Sequence, residues 1–184
     1  MRNFSLALIL LLLGMAPTLA QGSPAYDGLT VLGAAPKLTD EQGSTLTLVA
    51  CHTKYKEPVV GFYFVQNGVE VRFYANAATW DKLKQKLIKA RDQWATLAPR
   101  EFEMEGAVKG YQIKNRVATL RLSLIGETDL ADRRLQMSAT GGAAKPQRAM
   151  VALRDTELKA LVEDFYKIDD YFRAAGNAGQ PPAP

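Results

Sequence analysis

Residues 62–74 read FYFVQNGVEVRFY, two runs of aromatic and β-branched residues that alternate with other positions across Asn67-Gly68. Asn-Gly favours a two-residue hairpin turn with both central residues at positive φ, which Gly68 adopts without a Cβ clash. A loop of just those two residues fixes the pairing. Phe62 faces Phe73, Phe64 faces Val71 and Gln66 faces Val69 on one side of the hairpin. The opposite side carries Tyr63 across from Arg72, Val65 across from Glu70 and Gly61 across from Tyr74. The first set holds the phenylalanines and is assigned to the core.

The same period of two marks further strands. Leu46, Leu48 and Ala50 alternate with Thr47, Val49 and Cys51; Leu120, Leu122 and Leu124 with Thr119, Arg121 and Ser123; Leu135, Met137 and Ala139 with Arg134, Gln136 and Ser138. A Gly141-Gly142 loop leads to one more strand, Arg148 to Arg154. The period lengthens to three and four at Trp80, Leu83, Leu87, Ala90, Trp94 and Leu97, which predicts an amphipathic helix. It does so again at Leu158, Leu161, Val162, Phe165, Ile168 and Phe172. Asn76 or Thr79 is placed to cap the first helix, with Pro99 beyond its end, and Asp155 caps the second. Between the halves, REFEMEG and GYQIKNR are read as a strand pair with Phe102 and Met104 inward.

These elements predict an α+β fold: antiparallel β-sheet with two amphipathic helices packed on one face, in two similar sheet-then-helix halves. The halves span about 44–97 and 98–173, and together form a single domain. Lys82, Lys84, Lys86, Lys89 and Arg91 on the first helix oppose Glu157, Glu163, Asp164, Asp169 and Asp170 on the second. The helices are therefore expected side by side, although exposed ion pairs contribute only about 0–1 kcal/mol each.

The ends of the chain follow other rules. Arg2, the apolar run LALILLLLGM, Pro17 and the small-residue site Thr18-Leu19-Ala20 compose a secretory signal peptide over residues 1–20. The run is too short for a transmembrane anchor, which needs about 20 apolar residues. Gln21 stands where a lipid anchor would need cysteine. Residues 21–43 are a turn-rich leader with an edge strand at Leu29 to Leu32, and 174–184, AAGNAGQPPAP, are expected as a disordered tail. Export places the working chain in the periplasm or outside the cell, with no transmembrane anchor.

Composition narrows the chemistry. The net charge of +4 falls to about +3 once Arg2 is removed, which permits an acidic partner without requiring one. Cys51 is the one cysteine, so the exported domain is held by its core and not by a disulfide. Cys51 beside the single histidine, His52, is too little for a metal site, and as strand neighbours the two point to opposite faces, which removes a nucleophile–base pair. No phosphate loop, CxxC pair or HExxH is present. No cofactor or metal and no catalytic residue is expected. The one hydrolase reading rests on Glu101, Glu103 and Glu105, which fall on one side of a strand at roughly 7 Å spacing. The lysine-rich helix is read as a solvated face.

The outward side of the sheet is the surface singled out. Tyr63, Arg72 and Tyr74 from the first half and Arg121, Arg134 and Arg148 from the second, with Gln136, are expected to look outward. Tyrosine stacks through its ring face, and arginine pairs with anions or lies over aromatic planes. The reading is a non-enzymatic binding protein that holds an anionic or aromatic ligand, or an envelope protein, on this face. Single-stranded nucleic acid is the alternative ligand. The order of elements over 44–173 resembles in outline the Whirly and Pur types of single-stranded nucleic-acid binder, a likeness that implies the same open sheet face and transfers no residue. The exposed hairpin edge also offers pairing with a second copy as a homodimer. Amino-terminal sequencing of the natively produced protein is expected to start at Gln21; a full-length cytoplasmic chain would overturn export.

Overall fold

The computed structural model describes residues 28–98, 102, 107–113, 116–126, 130–142 and 145–177. The leader supplies strands β1 (Thr30–Ala34) and β2 (Leu38–Thr39). Both lie antiparallel on one edge of β3 (Thr45–His52), and Pro36, which has no N–H to give the ladder, sits in the gap between them. Next come β4 (Pro58–Gln66) and β5 (Val69–Asn76), so the first sheet runs β1-β3-β4-β5 with β2 beside β3. All six predicted hairpin pairs are present, from Gly61–Tyr74 to Gln66–Val69. Asn67 at φ 50° and Gly68 at φ 76° make the turn. A bulge at Leu32 inserts one extra residue opposite Cys51 and Ala50, while Val31 and Leu32 keep to opposite faces.

Helix α1 (Ala77–Asp92) starts at Asn76, whose side chain accepts from the Thr79 N–H at 2.9 Å. The helix stops at Asp92, short of the full predicted stripe. The backbone leaves it through turns that still bury Trp94 and Leu97. The second sheet follows as β6 (Val108–Lys109), β7 (Thr119–Ile125), β8 (Arg134–Gly141) and β9 (Gln147–Leu153), paired in that order. The predicted strand at GYQIKNR is not one: Ile113 and Arg116 close a tight bridge, and the chain there belongs to a connection. Glu101, Glu103, Glu105 and Met104 lie outside the described residues, while Phe102 is buried. Helix α2 (Asp155–Asn177) runs into the segment expected as tail, Ala174 and Ala175 being good helix formers. No helix among the described residues is long and apolar enough to cross a membrane.

One core joins both sheets and both helices. Phe62, Phe64 and Phe73 from the first sheet, Leu122 and Met137 from the second, and the stripes of both helices form a single buried cluster. Trp80 of α1 meets Phe165 of α2 edge to face at 4.9 Å. The opposed helix charges meet at one point, where Asp169 receives Lys84 at 3.0 Å and the Trp80 indole N–H at 3.4 Å.

A polar joint ties the halves together where strand pairing ends. The N–H groups of Met150 and Ala152 on the outer edge of β9 are accepted by Gln66 Oε1 at 3.2 Å and Asp40 Oδ2 at 3.0 Å. Asp40, 7% exposed, also accepts from the Gln42 and Ser44 N–H groups, which shapes the β2–β3 turn. Glu41 beside it pairs with Arg134 and Arg154 of the second half. Buried Arg133 donates to the carbonyls of Trp94 and Gly126. Removing a buried acceptor leaves its donors dry and costs about 1–3 kcal/mol, whereas a half-exposed ion pair contributes about 0–1. Asp40→Ala is therefore expected to lower the unfolding free energy by that larger amount, read as a lower urea midpoint at unchanged slope, with Glu41→Ala close to wild type.

Candidate functional site

In the first sheet the residues that alternate with the core do not all reach solvent. Val49, Cys51, Val59, Tyr74 and Ile113 form a second buried cluster on the outer face, with Tyr63 and Tyr111 packed against it. The cover is the β6–β7 connection: the Tyr111 N–H donates to the Tyr74 carbonyl, and Ile113 lies over the strands. Tyr74, expected to face solvent, is 5% exposed. Its hydroxyl meets that of Tyr63 at 3.4 Å, the two rings standing at 82°. Gly61 makes room for them, since a Cβ there would come within 2.7 Å of the Tyr63 ring. Arg72 lies over the Tyr63 ring at 5.1 Å and pairs with Glu70. Tyr63, Arg72 and Tyr74 are thus brought together as predicted, but as a packed group with its own partners and not as a bare stacking platform. A shallow hollow of about 290 Å³ runs beside them, with Arg116 and Gly142 on its far wall.

The outer face of the second sheet is polar, with Arg121 and Arg148 exposed, Thr119 and Thr140 half-buried and Ser138 buried. β7 presents Thr119 and Arg121, β8 Thr140 and Ser138, and β9 Arg148, with Thr119 opposite Thr140 and Thr140 opposite Arg148. Arg121 stands directly opposite Ser138. These five side chains and Ala107 line one hollow of about 290 Å³, with no carboxylate among its described lining residues. Arg121 and Arg148 are both exposed; Arg148 touches the Ser138 hydroxyl at 3.4 Å, and Arg121 makes no hydrogen bond or ion pair among the described residues. Two guanidinium groups and three hydroxyls supply donors alone or donors and acceptors, the set that holds a phosphate, sulfate or carboxylate.

Arg134 does not join them. It bonds the carbonyls of Ala131 and Arg133 at 2.8 and 2.9 Å and reaches Glu41 at 3.2 Å, at the other end of β8. Gln136 is spent on the sulfur of Met150. The hydroxyls of Thr119, Ser138 and Thr140 were not singled out in the sequence, though the alternation that marked Arg121 also put them on its face. His52 and Cys51 do lie apart, His52 stacked on Phe172 at 5.8 Å and Cys51 buried. No group of three or more His, Cys, Asp or Glu able to hold a metal occurs among the described residues. A scan against protein-family models finds no match, and a search of curated proteins finds none either.

Burial gives the outer face of the first sheet a pH signature. It pushes the Cys51 thiol from 9.0 up to about 12. Burial also raises the Tyr63 phenol above its ordinary 10.0, followed by its hydrogen bond to Tyr74. Both groups are neutral when protonated, so the folded chain keeps protons that the unfolded chain gives up, and stability is lost as pH rises. Unfolding free energy measured by denaturant is expected to fall above about pH 9, and Cys51→Ala and Tyr63→Phe to flatten that slope. A native thiol that reacts with an aromatic disulfide reagent as fast as an unfolded one would contradict the burial.

Proposed function

We propose that the protein is an exported, non-enzymatic binding protein that holds an anionic group on the outer face of its second sheet. The observation that carries this reading is the pair Arg121 and Arg148 in one hollow with Ser138, Thr119 and Thr140, no carboxylate being among its described lining residues. A guanidinium left unpaired on a surface gains most from an oxyanion that takes two of its N–H groups at once. Signal-like residues 1–20 support export. Single-stranded nucleic acid is the second reading, and burial of Tyr74 weakens it, because base stacking needs an exposed ring face. Phosphates held by two arginines alone would give a shallow salt slope, about −0.7 for each single-strand contact.

The test is binding of a sulfated oligosaccharide and of oligothymidylate to the mature chain, by titration calorimetry at several salt concentrations. The sulfated ligand is expected to bind, and Arg121→Ala and Arg148→Ala each to weaken it by about tenfold, the size of one lost charge-assisted hydrogen bond. Binding that survives the double substitution unchanged refutes the site. Binding of oligothymidylate that drops with Tyr63→Ala would instead move nucleic acid to first place.

A further inference from the structure

Another hollow, of about 610 Å³, lies at the open end of the first sheet. That volume falls within the range of small-molecule pockets, about 300–1,000 Å³. Its floor is apolar: Val31 and Leu32 on the edge strand β1, and Tyr171, Ala174 and Ala175 on the last turns of α2. Its rim is cationic, with Lys54 and Lys56 of the β3–β4 loop beside His52, and no carboxylate is among its described lining residues. Neither lysine makes an ion pair among the described residues; Lys54 lies over the ring of exposed Tyr55 at 4.8 Å.

The walls are held in place. The Tyr171 ring lies flush on Gly33, where a Cβ would fall 2.4 Å from it, and its hydroxyl donates to the Ala34 carbonyl at 3.3 Å. The His52 ring is stacked on Phe172 at an interplanar angle of 20°. The hollow exists because the helix offers only alanines where larger side chains would close the gap to β1. An apolar trough ending in uncompensated positive charge is complementary to a molecule with a hydrocarbon body and one anionic head.

We propose that this groove binds a single-chain carboxylate amphiphile of the fatty-acid type, with the alkyl chain along Leu32, Tyr171 and Ala175 and the head at Lys54 and Lys56. This site is separate from the arginine hollow and stands or falls without it. The probe is dodecanoate below its micelle concentration, titrated into the mature chain, with dodecyltrimethylammonium and acetate as controls. Saturable binding of dodecanoate alone is expected. Lys54→Ala with Lys56→Asn, the asparagine chosen because position 56 sits at φ 63°, should weaken it by about tenfold. Ala175→Trp, which fills the trough, should abolish it at an unchanged melting temperature. No saturable binding, equal binding of the cationic amphiphile, or full binding by either variant would overturn the proposal.

Discussion

The β4–β5 hairpin closes through Asn67 and Gly68, both at positive φ, and the facing of every side chain in the first sheet is counted from that turn. With two residues in the loop, Phe62, Phe64, Val71 and Phe73 share the side that meets the helices, and Tyr63, Arg72 and Tyr74 share the other. One residue more would exchange the sets and put three phenylalanines outside. A turn costs little and decides much because the side-chain period of a strand is two. The buried phenylalanines then hold the turn in place, since any other register would forfeit their burial, worth about 1.5–3 kcal/mol for each large side chain.

A second constraint acts at the edges. A two-sheet fold with one core must end its strands somewhere, and each free edge carries N–H groups that need acceptors. β9 solves this with side chains of the other half: Gln66 and Asp40 take the N–H groups of Met150 and Ala152. Pairing the two sheets by backbone would have required continuous strands in register; two side-chain acceptors satisfy these N–H groups without it. The joint also explains why Asp40 is buried while Glu41, its neighbour, stays half exposed between Arg134 and Arg154. One carboxylate satisfies backbone, the other only side chains that water would serve as well.

What was legible in the sequence was local. The hairpin register, the helix stripes and the Asn76 cap depend on residues a few positions apart, and periodicity reads those directly. What was hidden spans the halves: Arg134 meets Glu41 across 93 positions, and Ala152 meets Asp40 across 112. The cover over Tyr74 is of the same kind. Tyr111 was assigned to a strand of its own, and nothing near Tyr74 in sequence announces that a later connection will cross it. Of the six residues singled out for binding, the structure therefore keeps Arg121 and Arg148 together and exposed, packs Tyr63, Arg72 and Tyr74 into a group, and ties Arg134 elsewhere.

The two halves share an order of elements and differ in what crosses their outer faces. The first sheet carries Val49, Val59 and Tyr74 there, apolar enough that a covering segment gains by lying on them. The second carries Thr119, Arg121, Ser138, Thr140 and Arg148, which a dry cover would strip of water for no return. Burying a guanidinium without an anion costs more than any apolar gain from a short connection could offset. Exposure of Arg121 and Arg148 is the consequence of that composition. Coverage of the first face and exposure of Arg121 and Arg148 on the second thus follow from the same alternation of side chains, applied to different residues.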